Sequence, residues 1–438
     1  MLAYNFALSW HGLRRHPRTT LLVVLTMALG LASALTTLTL LHVLSADPLP
    51  GISQHLYLAW VDSRQALRAD ESDDPGVPSA LTLVDARALV AAHRATRQAM
   101  MSEFLQNVGN EDGSRSQGGQ MGLAASSELF PMFGIPLSYG RYWTMQEDDA
   151  HAPVAVIAAG LSEKLFGTAN GVGRTVKMNG KPFRVIGVSG TWAPNPHFHQ
   201  LRVGNVFNVV DSVFVPVGAL LDAGMGPFMG GDCDREVKTV TFGKVDVQRC
   251  RWLTVWTQLD TAEQVAGYRR FLRDYAGQQK AAGRFERAPR AELYGVPAWL
   301  ELNHVVPDNV RLNVWLAGGF LLLCLVNVAG LLAARFLRRS TEIGVRRALG
   351  APRRAIFAQC LGEAGLAGLA GGMLALPLTL FGLWIVRRQN LGYTELARLD
   401  PAMFAALFAL ALGAGVLVGV LPAWRACRVE PGLQVKSA

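Results

Sequence analysis

Residues 338–354 have the sequence RRSTEIGVRRALGAPRR, which contains six arginines and one glutamate. Apolar runs lie on both sides of it, at 312–334 and within 356–386. Two more runs, 20–41 and 402–424, lie near the two ends of the chain. About 20 apolar residues suffice for a helix to cross a bilayer. The sequence therefore predicts an integral membrane protein with four spans.

Basic residues are concentrated beside these apolar runs. They are Arg14, Arg15 and Arg18 before the first run; Arg335, Arg338, Arg339, Arg346, Arg347, Arg353 and Arg354 between the second and third; and Arg425, Arg428 and Lys436 after the fourth. The same segments hold two acids, Glu342 and Glu430. Short loops rich in Lys and Arg stay in the cytoplasm, so both termini are predicted to be cytoplasmic. The net charge of +9 then belongs to one membrane face, which argues against nucleic-acid binding.

The predicted fold is an integral membrane α-helical protein with four transmembrane helices and a large α+β extracytoplasmic domain between spans 1 and 2. In chain order we expect a cytoplasmic amphipathic segment at 1–19, helix 1 at 20–45, the extracytoplasmic domain at 46–311, helix 2 at 312–335, a cytoplasmic basic helix at 336–354, helix 3 at 355–386, a short outer loop at 387–401, helix 4 at 402–424 and a cytoplasmic tail at 425–438. Ala32-Ser33-Ala34 resembles a signal-peptide cleavage site, but the uncharged run continues to Leu44, where a signal sequence would already have ended.

Local patterns in the outer segment predict both strands and helices. Thr175–Met178 and Phe183–Val188 flank Asn179-Gly180, a pair that supplies the two positive-φ residues of a tight hairpin turn. Leu81–Gln106 has helical spacing, and the Gly/Ser-rich run Asn107–Gln120 is predicted to be a loop.

The outer segment shows no recognisable catalytic set. Its Gly-Lys pairs, at 180–181 and 243–244, lack the following Ser or Thr and the upstream glycine of a phosphate-binding loop, so no cofactor is expected on this chain. His197 and His199 have an H-x-H spacing that can clamp a metal ion. No cysteine or acid close in the sequence completes the set, so we predict a surface loop and no metal site.

Two of the five cysteines, Cys233 and Cys250, fall in the outer segment. In an oxidising compartment they can form a disulfide that closes a short loop. The alternative is that both are reduced and partly buried, and the sequence leaves the two open.

Two features of the third and fourth spans are open to more than one interpretation. Glu363, the one charge within the third apolar run, is either a hinge or ion-pair partner of the basic helix or an interfacial carboxylate that reaches headgroup water. Small residues recur at helical spacing and predict a tight helix pair or a dimer seam, unless the helices are simply glycine-rich: Ala364, Gly368, Gly372, Gly415 and Gly419.

The basic stretch itself is predicted to be a short capped helix over Arg338–Leu349. Glu342 can pair with Arg338 and Arg346, each four residues away. Gly350 suits the left-handed residue that ends a helix, and Pro352 suits the first turn of the next one. A basic anchor on anionic membrane lipid would explain the charge but not the glutamate or the rigid stop.

The residues Thr341-Glu-Ile-Gly-Val-Arg-Arg-Ala-Leu-Gly-Ala351 closely resemble the cytoplasmic coupling-helix motif of FtsX/MacB-type ABC transporter permeases. Gln359 and Glu363 fit the same pattern. Residues 13–20 and 421–431 are similar to the family's terminal signatures, and residues 130–136, 140–141, 165–167 and 173–187 resemble its MacB-like periplasmic core domain.

The resemblance implies a non-catalytic four-span subunit of the bacterial inner membrane that forms a homodimer or heterodimer and binds two cytosolic ATPase subunits. ATP and Mg would belong to those partners, because the chain begins directly at the first span. Their docking surface would be Glu342, Ile343, Gly344, Arg346, Arg347, Ala348, Leu349 and Gly350, with Ile343 and Leu349 in an apolar groove.

The implied activity is mechanotransmission: closure of the ATPases moves the outer domain and exports a peptide, an antibiotic or another amphiphile, with a periplasmic adaptor and an outer-membrane channel as further partners. The alternatives are an FtsX-like relay that activates a periplasmic hydrolase and a LolC-like subunit that releases lipoproteins.

Overall fold

The computed structural model describes residues 17–65, 80–199, 207, 210–228, 232–234, 237, 246–339, 342–345, 349–389 and 401–427. The predicted amphipathic segment 1–19 therefore lies almost wholly outside the described residues. The chain divides into a membrane unit, residues 1–45 with 306–438, and an outer unit, residues 46–305. The second boundary falls at 305/306 instead of 311/312, because the helix of the second span already begins at Asp308.

Elements are numbered in chain order. The helices are α1 Pro17–Leu44, α2 Leu83–Ala91, α3 Leu129–Phe133, α4 Met145–Asp149, α5 Ala159–Phe166, α6 Val217–Asp222, α7 Ala262–Ala281, α8 Val296–Leu302, α9 Asp308–Arg338, α10 Arg353–Arg387 and α11 Pro401–Cys427. The strands are β1 Leu56–Val61, β2 Arg97–Asn110, β3 Ser116–Ala125, β4 Leu137–Gly140, β5 Val154–Ala158, β6 Thr175–Met178, β7 Lys181–Ser189, β8 Val213–Pro216, β9 Asp232–Cys233, β10 Cys250–Arg251, β11 Thr254–Gln258 and β12 Ala291–Gly295.

The membrane unit consists of α1, α9, α10 and α11, each long and apolar enough to cross a bilayer. α1 packs against α9 and α10, and α10 packs against α11. Side chains such as Met27, Val328 and Ala367 form the core between the helices. Large apolar side chains on the other faces stay exposed, among them Trp315 and Leu417. An apolar exterior of this kind is what the hydrocarbon of a membrane solvates.

The five small residues predicted to serve in packing, Ala364, Gly368, Gly372, Gly415 and Gly419, lie where α10 meets α11. A Cβ atom built on Gly368 would lie 2.7 Å from the carbonyl oxygen of Ala411 and 2.8 Å from the Cα of Gly415. Such distances are too short for any side chain, so the two backbones touch directly. These contacts form a helix pair within one chain, which is one of the alternatives that the sequence leaves open.

The outer unit is built on a ten-stranded sheet. Its strand order is β12-β1-β11-β2-β3-β8-β5-β7-β4, and β6 pairs with both β2 and β7. The β3–β8 and β5–β7 pairs are parallel, while the remaining pairs are antiparallel. The predicted hairpin is β6–β7, and Asn179 and Gly180 have φ values of 49° and 74° in its turn. With helices over a mixed sheet, the unit has the α+β character that the sequence predicts.

Side chains of β2 alternate between two cores, one on each sheet face. Phe104 and Val108 join the core that includes residues of α2 and α7. Ala99 and Met101 join a second core that is rich in aromatic rings, among them Trp256. Because successive residues of a strand point to opposite faces, Glu103 belongs to this aromatic face.

Two local predictions in this region were wrong. The helical spacing of Leu81–Gln106 corresponds to α2 alone, and the chain then turns into β2. The run Asn107–Gln120, predicted to be a loop, forms the end of β2, a turn and most of β3. Pairing with neighbouring strands overrides the weak strand propensity of Gly and Ser there, since strand preference depends strongly on context.

Cys233 and Cys250 are joined by a disulfide bond between β9 and β10, which form a separate two-stranded sheet. Cys324 and Cys360 lie within α9 and α10 and take no part in a disulfide.

The disulfide predicts how the denatured protein reacts with an alkylating agent. Without a reductant, three of the five cysteines should add the label, and after reduction all five should. Intact mass spectrometry measures the difference as two labels per chain. Five labels without reduction would contradict the bond, and Cys233→Ser is the control that should leave a single extra free thiol, at Cys250.

The α10–α11 contact predicts different outcomes for two neighbouring glycines. Gly368→Ala should lower the free energy of unfolding by about 1–3 kcal/mol, because the added methyl group meets backbone that cannot move aside. Gly365→Ala, on the same helix, should not, since its Cβ would meet nothing closer than a side-chain carbon at 4.0 Å. Both changes gain the same helix propensity, so their difference reports the contact. Thermal unfolding in detergent measures it, and equal melting temperatures would contradict the packing.

Candidate functional site

The residues predicted to dock an ATPase lie in the link between α9 and α10. α9 continues to Arg338, so the predicted basic helix loses its first residues to the span. Residues 342–345 are helical, and Gly350 has a φ of +98° just before Pro352. Gly350 therefore adopts the left-handed conformation that ends helices. Arg346, Arg347 and Ala348 lie outside the described residues.

The apolar side chains of the link differ in their exposure. Leu349 is 83% exposed and Val345 is 50% exposed. Ile343, in contrast, is half-buried and packs against the core of the membrane unit. Of the two apolar residues predicted to enter an ATPase groove, only Leu349 is freely presented, while Ile343 ties the link to the chain's own helices.

Glu363 lies on α10 and is almost fully buried, at 1% exposure. Nη1 of Arg339 donates to both of its carboxylate oxygens, at 3.1 and 3.2 Å. Nη2 of Arg335 lies 3.7 Å from Oε2 of the same carboxylate. Glu363 is thus an ion-pair partner of the arginines that precede the link, and the interfacial alternative does not match its burial.

The ion pair extends to the link and to α1. Nε of Arg339 lies 3.5 Å from Oε2 of Glu342, which is the first described residue of the helical segment 342–345. Nη1 of Arg335 donates to Oγ1 of Thr20 on α1, at 3.2 Å. The structure brings Arg339 to Glu342, three residues away; of the predicted partners Arg338 and Arg346, the second lies outside the described residues. One charged network therefore connects α1, α9, the link and α10.

Burial makes this network sensitive to the loss of any member. The side chains of Glu363 and Arg335 are 2% and 4% exposed, so water screens their interaction little. Removing one partner of a buried ion pair leaves an uncompensated charge and typically costs about 3–5 kcal/mol. The network is therefore suited to holding the link and three helices in one fixed arrangement.

The outer unit contains a second polar cluster, which the sequence does not predict. His197 and His199 are 1% and 0% exposed, so the prediction of a surface loop was wrong. Two acids distant in the sequence, Glu103 on β2 and Asp211 just before β8, reach them and are equally buried. Local sequence spacing could not reveal this, because the acids come from other parts of the sheet.

Asp211 lies at the centre of the cluster. Its Oδ2 is 3.0 Å from Nε2 of His197 and 3.0 Å from Nε2 of His199. On the other side of the ring, Nδ1 of His197 is 3.4 Å from Oε1 of Glu103. Burial alone raises the pKa of Asp211, but the charges and hydrogen bonds of the two histidines outweigh this and leave its pKa below the usual range.

The histidine segment is held by two tryptophans. Nε1 of Trp256 donates to the carbonyl oxygen of His199, at 3.1 Å, and Nε1 of Trp299 donates to that of Phe198, at 3.0 Å. The ring of His199 also contacts the ring of Trp192, with centroids 5.3 Å apart. Because the backbone is fixed by these bonds and the rings are packed, the positions of both imidazoles are well defined.

Family models cover nearly the whole chain. The model of the MacB-like periplasmic core domain matches residues 20–267, and that of the FtsX-like permease C-terminal domain matches residues 314–431. The first model thus includes α1 and most of the outer unit, and the second includes α10, α11 and the link.

Curated relatives are similar over the same regions. The pyoverdine export ATP-binding/permease protein PvdT of Pseudomonas aeruginosa is 25% identical over 366 residues, which are 82% of this chain and 48% of PvdT. The uncharacterized ABC transporter permease YvrN of Bacillus subtilis is 24% identical over 69% of this chain and 67% of its own length. The chain therefore spans about half the length of PvdT.

Among solved structures, the periplasmic region of MacB from Actinobacillus actinomycetemcomitans aligns with a TM-score of 0.36 and 15% identity, over 56% of this chain and 91% of that one. The two family models together decide the identity: the chain belongs to the family of ABC transporter permeases with a MacB-like periplasmic core domain and an FtsX-like permease domain.

Proposed function

We propose that the chain is the permease subunit of a mechanotransmission-type ABC exporter, driven by separate cytosolic ATPase subunits that hold ATP and Mg. The observation that carries this proposal is the charged network of Glu363, Arg339, Arg335 and Glu342. It joins the link, where the family binds its ATPase, to the transmembrane helices. Through this network, a displacement of the link would be passed on to the transmembrane helices.

The transmission route follows from covalent and ionic connections. Arg339 contacts both Glu342 of the link and Glu363 of α10, and through these contacts it couples the link to α10. Arg335 extends the connection to Thr20 of α1. The chain passes from α1 into the outer unit at residue 46 and returns to α9 after residue 305, so these two helices carry the motion outward.

The helices offer a poor route for a polar substrate. Between residues 19 and 44 of α1, 312 and 334 of α9, 364 and 386 of α10, and 401 and 424 of α11, the sequence has no Asp, Glu, Lys or Arg. Intramembrane charges normally mark transport paths, and the buried ones here are paired near the helix ends. This supports a machine that works on cargo outside the membrane over one that conducts cargo through the subunit.

The proposed docking surface is the exposed side of the link. Leu349 and Val345 would enter an apolar groove of the ATPase, while Ile343 anchors the link internally. Arg346 and Arg347 would fix the orientation by charge, with Glu342 held by Arg339. Two copies of the subunit, identical or not, would bind two ATPases.

Export is the activity that the relatives' names favour, since PvdT and MacB are named for pyoverdine and macrolide export. We propose a peptide, an antibiotic or a similar amphiphile as the cargo, taken up on the outer side of a bacterial inner membrane with both termini in the cytoplasm. A periplasmic adaptor and an outer-membrane channel would complete the path. The match of a full MacB-like core domain favours export over a signalling relay.

The proposed docking surface predicts that a charge placed on the link weakens binding of the ATPase. Val345→Asp and Leu349→Asp should each reduce co-purification of the ATPase at least about tenfold, because a buried unpaired charge costs more than about 1.4 kcal/mol. Val84→Asp is the matched control: this valine of the outer unit is 49% exposed, compared with 50% for Val345. ATPase capture by both link variants at the control level would refute the docking surface.

The proposed transmission of motion through the charged network predicts a different defect when the buried carboxylate of Glu363 is removed. Glu363→Gln should keep the ATPase bound but abolish ATP-driven export, and it should lower the melting temperature, because the buried Arg335 and the partly buried Arg339 lose their counter-charge. Glu363→Asp keeps the charge and should be intermediate in both measurements. Glu163→Gln changes an exposed acid of α5 and should behave as wild type. Wild-type export and melting temperature in Glu363→Gln would count against the network as the transmitting element.

A further inference from the structure

We propose that Glu103, His197, His199 and Asp211 form a structural zinc site in the outer unit. One ligand atom from each residue lies within 4.8 Å of the others. All four side chains are buried: Glu103 lies on β2, and the two histidines and Asp211 lie in the connection between β7 and β8. A metal ion at this point would tie that connection to β2.

The geometry is close to that of a four-coordinate site. Zinc bonds of about 2.0–2.2 Å in a tetrahedron place neighbouring ligand atoms about 3.4 Å apart. The separations from Asp211 Oδ2 to the two Nε2 atoms are 3.0 Å each, and the single ligand atoms offered by the four residues, Glu103 included, all lie within 4.8 Å of one another. The widest pair would have to close by up to about 1.4 Å to place four donors around one ion.

The two carboxylate oxygens of Asp211 are not equally hydrogen-bonded. Both imidazoles approach the same oxygen, Oδ2, whereas Oδ1 has no hydrogen-bond partner among the described residues. A buried carboxylate oxygen without a partner is costly. A cation beside Asp211 would interact with the carboxylate as a whole and would use the nitrogen lone pairs as donors.

The charges of the cluster also match a divalent ion. With a metal bound, two ionised carboxylates and two neutral imidazoles would carry a charge of about −2, which a single divalent cation cancels, and buried charge requires such compensation. Imidazole nitrogens favour zinc and related transition metals over magnesium and calcium, which prefer oxygen ligands. With four buried protein donors, the site is of the structural kind.

The surroundings would hold the ligands in place. Trp256 and Trp299 fix the backbone of residues 198 and 199 through their indole N–H groups. Trp192 packs on the ring of His199. Supporting contacts of this kind restrict ligand orientation and strengthen metal sites.

Metal analysis of the full-length protein in detergent tests the site. After equilibration with Zn²⁺ and removal of loose metal by a chelating resin, the wild-type chain should retain about one zinc. His199→Gln and Asp211→Asn should lose it, with affinity lowered at least tenfold. His151→Ala is the matched control, since this half-exposed histidine also lies 3.0 Å from an aspartate, Asp222, and should retain the zinc. Equal retention by His199→Gln and wild type would overturn the proposal.

A measurement on the wild-type protein keeps the test valid if a buried variant misfolds. Zn²⁺ should raise the melting temperature by several degrees relative to EDTA, because a ligand that binds only the folded state stabilises it. Mg²⁺ should not. Co²⁺ in place of zinc should give the visible absorption bands of a tetrahedral site. Identical melting curves in Zn²⁺ and EDTA, together with no retained zinc, would mean that the cluster is held by protons alone, and the proposal would fail.

Discussion

A buried carboxylate held between two arginines is the interaction on which the membrane unit depends. In a low-dielectric environment Glu363 must have a counter-charge, and Arg339 and Arg335 are the groups that provide it. Arg335 reaches α10 from the last turn of α9, and Arg339 reaches it from the residue just after that helix. Arg339 contacts Glu342 of the link as well. The exposed part of the link is therefore presented from a rigid base.

The outer unit uses the same physical rule in a different setting. Its sheet separates two cores, and the aromatic core encloses four ionisable side chains. These groups are tolerated because they contact one another and because the backbone beside them is bonded to tryptophan N–H groups. In both units the polar interior residues come from segments far apart in the chain, so each cluster fastens distant parts of the fold together.

Whether a feature depends on adjacent or on distant residues explains what could be predicted from the sequence. The four spans, the hairpin at Asn179-Gly180 and the stop at Gly350 follow from composition or from a few adjacent residues, and the structure contains them. The paired helices α10 and α11 are also visible as small residues at helical spacing. These features depend on residues close together in the chain, so a single sequence is enough to predict them.

The predictions that were wrong concern features that depend on residues distant in the sequence. Strand β2 was missed because its apolar residues fit a helical period as well as an alternating one, and only pairing with β3 and β11 decides between them. His197 and His199 are buried against Glu103, a residue of the distant strand β2, and nothing near the histidines in the sequence indicates it. Identifying which residues contact each other across a sheet or between helices requires the three-dimensional structure.

The backbone contact between α10 and α11 has a mechanical consequence. Side chains at an interface act as soft spacers, because each rotatable bond lets a load dissipate into small rearrangements. At Gly368 and Gly415 there is no such spacer, and the main chains bear directly on each other. A push delivered to one helix at this point reaches the other with little compliance, so the pair acts as a single stiff strut.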